Sequence, residues 1–314
     1  MQADDLSVKI RIYSYIFTFT NCLLGCSLGF YYGEFSFSTI ITALCVIATS
    51  MGILTLCNYS VDYSRAYRKY VKDRKNGIMS PVIVRGITVA RLRKNMALVI
   101  IFSTFFATVA ISMSLGSSIQ MLSWFVFLCV LCVMLTFMFN TTTLYAYRGT
   151  FVIGFFFVFG MLSVIGPQFL VLSACNSSID IYPDTWFLSL ASGVSSLMVL
   201  YGRSLYLLLN DDASMEHKSL VFNFGYRITS IYLVALLLGV FICSNMACIM
   251  SHKLIETPLL LLAFVPLGLK IFDIIKNMDR LDMIKQRFIV ILKYCCLHNL
   301  LWVLVLLLDY YIYG

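Results

Sequence analysis

Apolar runs about twenty residues long recur along the chain, separated by short polar connections. A helix of that length rises far enough to cross roughly 30 Å of hydrocarbon. The pattern predicts nine spans, at residues 12–32, 37–58, 96–116, 121–142, 151–172, 185–207, 227–248, 255–272 and 288–312. Short segments of strict alternation, the mark of a membrane barrel, are absent from the sequence. The first run starts near Ile12 and continues past Gly29. It is too long for the apolar core of a signal peptide and carries no clear cleavage site, so it is expected to be the first span.

The polar residues between the runs give the expected orientation. With the N-terminus inside, Lys9 and Arg11 precede span 1, and ten basic residues from Arg65 to Lys94 separate spans 2 and 3. Of the 23 Lys and Arg residues, all but Lys253 then fall on one side. By the positive-inside rule the N-terminus is expected to be cytoplasmic and the C-terminus outside, across a cell inner membrane. Composition agrees: 61% of residues are apolar, 12% are charged and the mean hydropathy is +0.90. The net charge of +8 is then an orientation signal and an attraction to anionic lipid. Nucleic-acid binding would need an extramembrane basic domain, and the loops are too short for one.

The eleven cysteines are scattered, mostly inside apolar runs, where they act as small hydrophobes. Cys129 and Cys132 have C-x-x-C spacing but no charged neighbours, and packing is their expected role. Three histidines are too few for a histidine-rich metal site.

Polar groups at span ends are where chemistry can sit. On the inner face, "LCNYSVDY" places Asn58 and Asp62 four residues apart, on one face if the helix continues. A second patch holds Asn210, Asp211, Asp212 and Glu216. Both offer oxygen ligands of the kind magnesium takes together with phosphate oxygens. Lys69 and Arg74 could neutralise remaining phosphate charge. The plainer alternatives are that Asn58 caps a helix C-terminus and that the acidic residues near Asn210 form a turn.

Several stretches resemble the UbiA superfamily of intramembrane aromatic prenyltransferases, and within it 1,4-dihydroxy-2-naphthoate polyprenyltransferase of menaquinone synthesis. They are "FTNCLLGCSLGFYYGEFSF", "LCNYSVDY", "GIMSPVIVRGIT", "LYAYRGTFVIGFFFVFGMLSVIG" and "PLLLLAFVPLGLKIF". The resemblance runs through nearly the whole chain. It implies a single domain over residues 1–314: an all-α polytopic membrane protein with nine transmembrane helices bundled around a central cavity. It also implies magnesium-dependent transfer of a polyprenyl group from a polyprenyl diphosphate to an aromatic acceptor. The residues carried over are Asn58, Asp62 and Asp212 as metal-binding and catalytic groups. Lys69, Arg74 and Lys218 are the diphosphate candidates, and Tyr145 and Tyr147 the candidates to line the acceptor or cation path. Loop tyrosines are also common interfacial anchors.

The sequence departs from that family at the second acidic motif. Ser204, Leu207 and Leu208 stand at ligand positions, Val152 stands at an acidic one, and Asp212 fits the last aspartate. The alternative is therefore a catalytically degenerate paralogue that binds an isoprenoid or quinone, or serves as a membrane partner. A transporter is disfavoured by the odd topology and by the lack of a two-half repeat.

Other residues carry quieter expectations. Pro167 and Pro266 mark kinks or boundaries. His298 is packed or interfacial. Asp180, Asp184 and Glu256 are solvated on the outer face. Gly25 and Gly29 form a small-x-x-x-small face, expected to pack one span against another, with a dimer contact as the alternative.

Overall fold

A hydrocarbon environment leaves no water for backbone N–H and C=O groups, so a spanning chain must satisfy them within each helix. The computed structural model describes residues 2–75, 83–84, 87–115, 123, 126, 130, 148–175, 181–209, 220–251, 257–277 and 281–313, and these are almost entirely helical. The order is α1 (Gln2–Tyr32), α2 (Phe37–Lys75), β1 (Ile83–Val84), β2 (Ile87–Thr88) and α3 (Val89–Leu115). There follow α4 (Arg148–Phe155), a π-helix (Phe156–Met161) and α5 (Leu162–Ala174). The last four are α6 (Pro183–Leu209), α7 (Leu220–Met250), α8 (Thr257–Lys276) and α9 (Leu281–Tyr313). β1 and β2 pair antiparallel, Ile83 with Thr88 and Val84 with Ile87.

Helix thus covers the expected spans 1–3 and 5–9, while span 4 lies almost wholly outside the described residues. Among the described residues, five segments are long and apolar enough to cross a membrane: Phe37–Ser60, Val89–Leu115, Val152–Ala174, Ile231–Met250 and Ile289–Tyr311. α1 is less apolar than these. Its Thr18, Thr20 and Asn21 are buried inside the protein, so they never have to meet lipid.

α1 packs on α2, α5, α6 and α9. The largest core cluster joins Leu24 and Leu28 of α1 to Met198 of α6, Leu233 of α7, Ile271 of α8 and Trp302 of α9. A smaller cluster joins Cys45 and Val46 of α2, Ala110 of α3 and Leu170 of α5. Outward faces carry large apolar side chains, among them Ile101 and Phe105 on α3, Leu238 on α7 and Phe272 on α8. A protein that turns such residues outward along whole helices needs lipid around it. The chain is a multi-pass membrane protein.

Close packing depends on small residues, as expected for Gly25 and Gly29. A methyl group on Gly25 would fall on the carbonyl oxygen of Val164, and one on Gly29 would lie 2.7 Å from Cβ of Val171. α1 and α5 can therefore touch backbone to backbone.

Two expectations change. Span 2 was placed at 37–58, but the helix runs through Asn58 to Lys75. Hydropathy marks where lipid ends, whereas the helix continues until its backbone bonding is interrupted. The first stop signal in the sequence is Asn76–Gly77. Asn58 is therefore no cap. Asp184, expected to be solvated, is 2% exposed. One of its carboxylate oxygens accepts a 2.5 Å bond from the Tyr32 hydroxyl, and the other accepts from its neighbour's amide, Thr185 N–H. The ring of Tyr32 stacks on that of Tyr182. Two hydrogen bonds and an aromatic lid replace the water that a sequence reading assumes. Asp180 and Glu256 lie outside the described residues.

Candidate functional site

Asn58 and Asp62 share one face of α2, a turn apart, as their spacing predicts. Asp62 is 6% exposed, and its carboxylate is already engaged. Nη1 and Nη2 of Arg11, on α1, donate to its two oxygens at 2.9 and 2.6 Å. This is a bidentate ion pair, the strong and directional form of the contact.

One turn further into the bundle, Ser14 of α1 and Asn58 of α2 line a small chamber of about 30 Å³, together with Phe17, Thr18, Phe155 and Phe159. The Asn58 amide nitrogen is buried with no hydrogen-bond partner among the described residues. An unsatisfied buried donor is costly, on the order of 1–3 kcal/mol, and this amide is free to donate to an oxygen placed in the chamber.

Thr18 and Phe159 also line a second, larger cavity of about 150 Å³. Its walls come from α1, α2, α3, the π-helix and α5. They are mostly apolar, with the hydroxyls of Thr18, Thr49, Ser50 and Ser163 as the polar exceptions. A small chamber that carries the Asn58 amide among mostly apolar side chains thus adjoins the larger cavity, and Thr18 and Phe159 stand in the walls of both.

Phe159 belongs to the π-helix, a form that recurs at functional sites. Its i→i+5 bonding leaves carbonyls to be satisfied by side chains. Asn21 Nδ2 donates to the Phe159 carbonyl at 3.1 Å, and Ser163 Oγ does so at 2.9 Å. Ser163 and Ser192 Oγ donate to the Gly160 carbonyl, and Ser196 Oγ to that of Phe155. Gly160 meets Gly193 of α6 so closely that a methyl on either residue would strike the opposite helix.

Behind Asn21 runs a polar chain through the apolar core. Asn299 Nδ2 donates to Asn21 Oδ1, Asn299 Oδ1 contacts His298 Nδ1 at 3.2 Å, and His298 Nε2 contacts Ser244 Oγ at 2.5 Å. All four side chains are buried. His298 is packed, as expected.

Of the other expected site residues, Lys69 and Arg74 lie on the same helix as Asp62, further toward its C-terminal end. Asp212, Lys218, Tyr145 and Tyr147 lie outside the described residues. Sequence reasoning did not select Arg11, Ser14 or Thr18. Arg11 was counted only as an orientation charge. Asn21 and Asn299 were legible as amides within apolar runs, a signal that went unused.

Asp62 is a hard oxygen ligand, but both of its oxygens are occupied by a guanidinium that already neutralises it. Among the described residues no group of three or more His, Cys, Asp or Glu side chains is placed to hold a metal. As held here, Asp62 does not fit a magnesium ion.

What the fold and site define is a multi-pass helical membrane protein with two neighbouring pockets that share Thr18 and Phe159. No protein-family model and no curated protein matches the chain. A solved structure described as digeranylgeranylglyceryl phosphate synthase in membranes is similar in fold, with a TM-score of 0.53 and 16% identity over 98% of this chain and 99% of that one. At that identity the similarity shows a shared fold, extending over essentially both chains.

Proposed function

We propose that the protein is an intramembrane transferase that moves a polyprenyl group from a polyprenyl diphosphate to an acceptor bound in the same cavity. The observation that carries this reading is the adjoining of an apolar cavity to a chamber holding the unpartnered amide of Asn58. A polyprenyl diphosphate has the matching division, a long apolar chain joined to an anionic head. The name of the structural neighbour itself contains two geranylgeranyl groups, which are polyprenyl chains, and this supports the same ligand class.

In this reading the apolar cavity takes the first isoprene units of the chain, and Asn58 Nδ2 donates to an oxygen of the head group. The rings of Phe155 and Phe159, with centroids 4.8 Å apart, line the chamber. Their faces can stabilise the positive charge that develops on the allylic carbon as diphosphate leaves. The enclosing helices keep water from that carbon. The acceptor favoured by the sequence resemblance is an electron-rich aromatic, 1,4-dihydroxy-2-naphthoate in the menaquinone branch. The charge pattern favours a cytoplasmic N-terminus in an inner membrane.

The test is an assay of purified protein in lipid nanodiscs with geranylgeranyl diphosphate and a panel of aromatic acceptors, with and without magnesium. Prenylated product that is lost in Asn58→Ala supports the reading. Absence of product with every acceptor overturns it.

One observation favours the second reading, a degenerate paralogue that binds an isoprenoid or quinone. Asp62 is neutralised from within the protein by Arg11, and the sequence lacks the charged residues that the resemblance implies at Leu207, Leu208 and Val152. Saturable isoprenoid binding without turnover would select it.

A further inference from the structure

The Arg11–Asp62 pair has a defined place relative to the cavity. Ser14 lies one turn from Arg11 on α1, and Asn58 lies one turn from Asp62 on α2. Both line the small chamber. The ion pair therefore bridges the same two helices about 5 Å, one helical turn, beyond the chamber. It spans the gap between α1 and α2 at the inner end of the cavity, where a head group would sit.

We propose that Arg11 takes the place of a divalent cation at Asp62, so that a guanidinium and not a metal ion meets the phosphate of a bound ligand. The proposal rests on the prenyl-transfer reading for the identity of that ligand, but not for the pairing itself. Three features carry it. The contact is bidentate, with both carboxylate oxygens used. Asp62 is nearly inaccessible, so a cation cannot reach it while Arg11 is in place. Arg11 is more exposed than its partner, 24% against 9% for the side chains, and only two of the five guanidinium N–H donors are spent on Asp62. The remaining donors suit a phosphate or diphosphate oxygen, which guanidinium recognises with planar, charge-assisted hydrogen bonds. Asp62 is then a positioning residue. It fixes the rotamer of Arg11 and lowers the cost of holding a positive charge near the membrane interior.

The arrangement also accounts for the thinning of the second acidic motif. A site whose cation is built into the chain has less need of carboxylates from other helices, and the apolar Leu208 and Val152 cost it little.

The experiment uses full-length protein in nanodiscs and needs no activity. Manganese binding is followed by electron paramagnetic resonance in wild type, Asp62→Asn, Arg11→Gln, Arg11→Lys and the double variant Arg11→Gln/Asp62→Asn. Wild type and Asp62→Asn are expected to bind the same number of manganese ions. Arg11→Gln is expected to gain one site, which the double variant loses again. Arg11→Lys is expected to gain none, because the charge remains. Loss of a manganese site on going from wild type to Asp62→Asn overturns the proposal, and that comparison does not depend on the arginine variants folding.

In the second arm, binding of geranylgeranyl diphosphate and of inorganic diphosphate is measured by calorimetry in magnesium and in EDTA. Binding that survives EDTA and falls roughly tenfold or more in Arg11→Gln supports the guanidinium as the anion-binding group. Binding abolished by EDTA overturns it. If inorganic diphosphate binds as well as the prenylated form, the anion site stands and the prenyl reading fails. If neither binds, the anion-binding half of the proposal is overturned, and the manganese arm decides the pairing alone.

Discussion

Replacing Asn299 by leucine cuts the buried polar chain at its centre. Wild-type Asn299 donates to Asn21 Oδ1 and contacts His298 Nδ1, inside a region where these side chains are 0–2% exposed. Leucine is close in volume, so the loss is one of hydrogen bonding and not of packing. It orphans two buried polar atoms, at about 1–3 kcal/mol each in a protein interior. Because an unfolded chain in lipid also finds partners, interhelical bonds in membranes average nearer 0.6 kcal/mol. The expected loss therefore lies at about 1–4 kcal/mol, measured by denaturant unfolding in mixed micelles. Asn21→Leu should cost a similar amount. The double variant should cost clearly less than the two together, with a coupling of about 1–2 kcal/mol, because each single change strands the other's partner. Ser244→Ala, at the far end of the chain, should leave the cavity unaltered, whereas Asn21→Leu removes one of the two side-chain donors to the Phe159 carbonyl, leaving Ser163. Strictly additive losses for Asn21 and Asn299 would refute the idea of a connected network.

Other expectations follow from single contacts. Phe159→Ala should merge the chamber with the larger cavity and broaden the range of isoprenoid chain lengths bound, while Phe159→Trp should narrow it; an unchanged binding series for both would deny Phe159 its place in the shared wall. Gly25→Ala places a methyl on the Val164 carbonyl and should cost about 1–3 kcal/mol, whereas Gly166→Ala meets nothing within 4 Å and should be near neutral. Asp184→Ala strands the Tyr32 hydroxyl and the Thr185 amide and should cost about 1–3 kcal/mol in the same unfolding assay, with Tyr32→Phe less damaging because the ring stack on Tyr182 survives.

Much of the architecture is legible along the chain because lipid is a demanding solvent. A run of twenty apolar residues has few alternatives to a spanning helix, and helix is found at spans 1–3 and 5–9. The juxtaposition of Asn58 and Asp62 follows from a spacing of four on a continuing helix. The role of glycine on α1 follows from the small-x-x-x-small spacing of Gly25 and Gly29. Boundaries were less legible, since hydropathy reports where lipid stops and not where backbone bonding stops; α2 passes its apolar end at Ser60 and continues to Lys75.

The partners of polar side chains were not legible at all. Arg11 and Asp62 are 51 residues apart, and Asn21 and Asn299 are 278 apart. Periodicity says which face a residue occupies, but not which distant helix lies against that face. Sequence alone determined that this chain is a helical membrane protein and that a carboxylate and an amide stand together near one end of its second span. Only the tertiary structure decided that the carboxylate is held by a guanidinium from the first helix while the amide lines a small chamber between helices. The physical reason is that a hydrogen bond between helices is specified by three-dimensional packing, and in a low-dielectric interior the nearest partner determines whether a charged group is free to bind anything else.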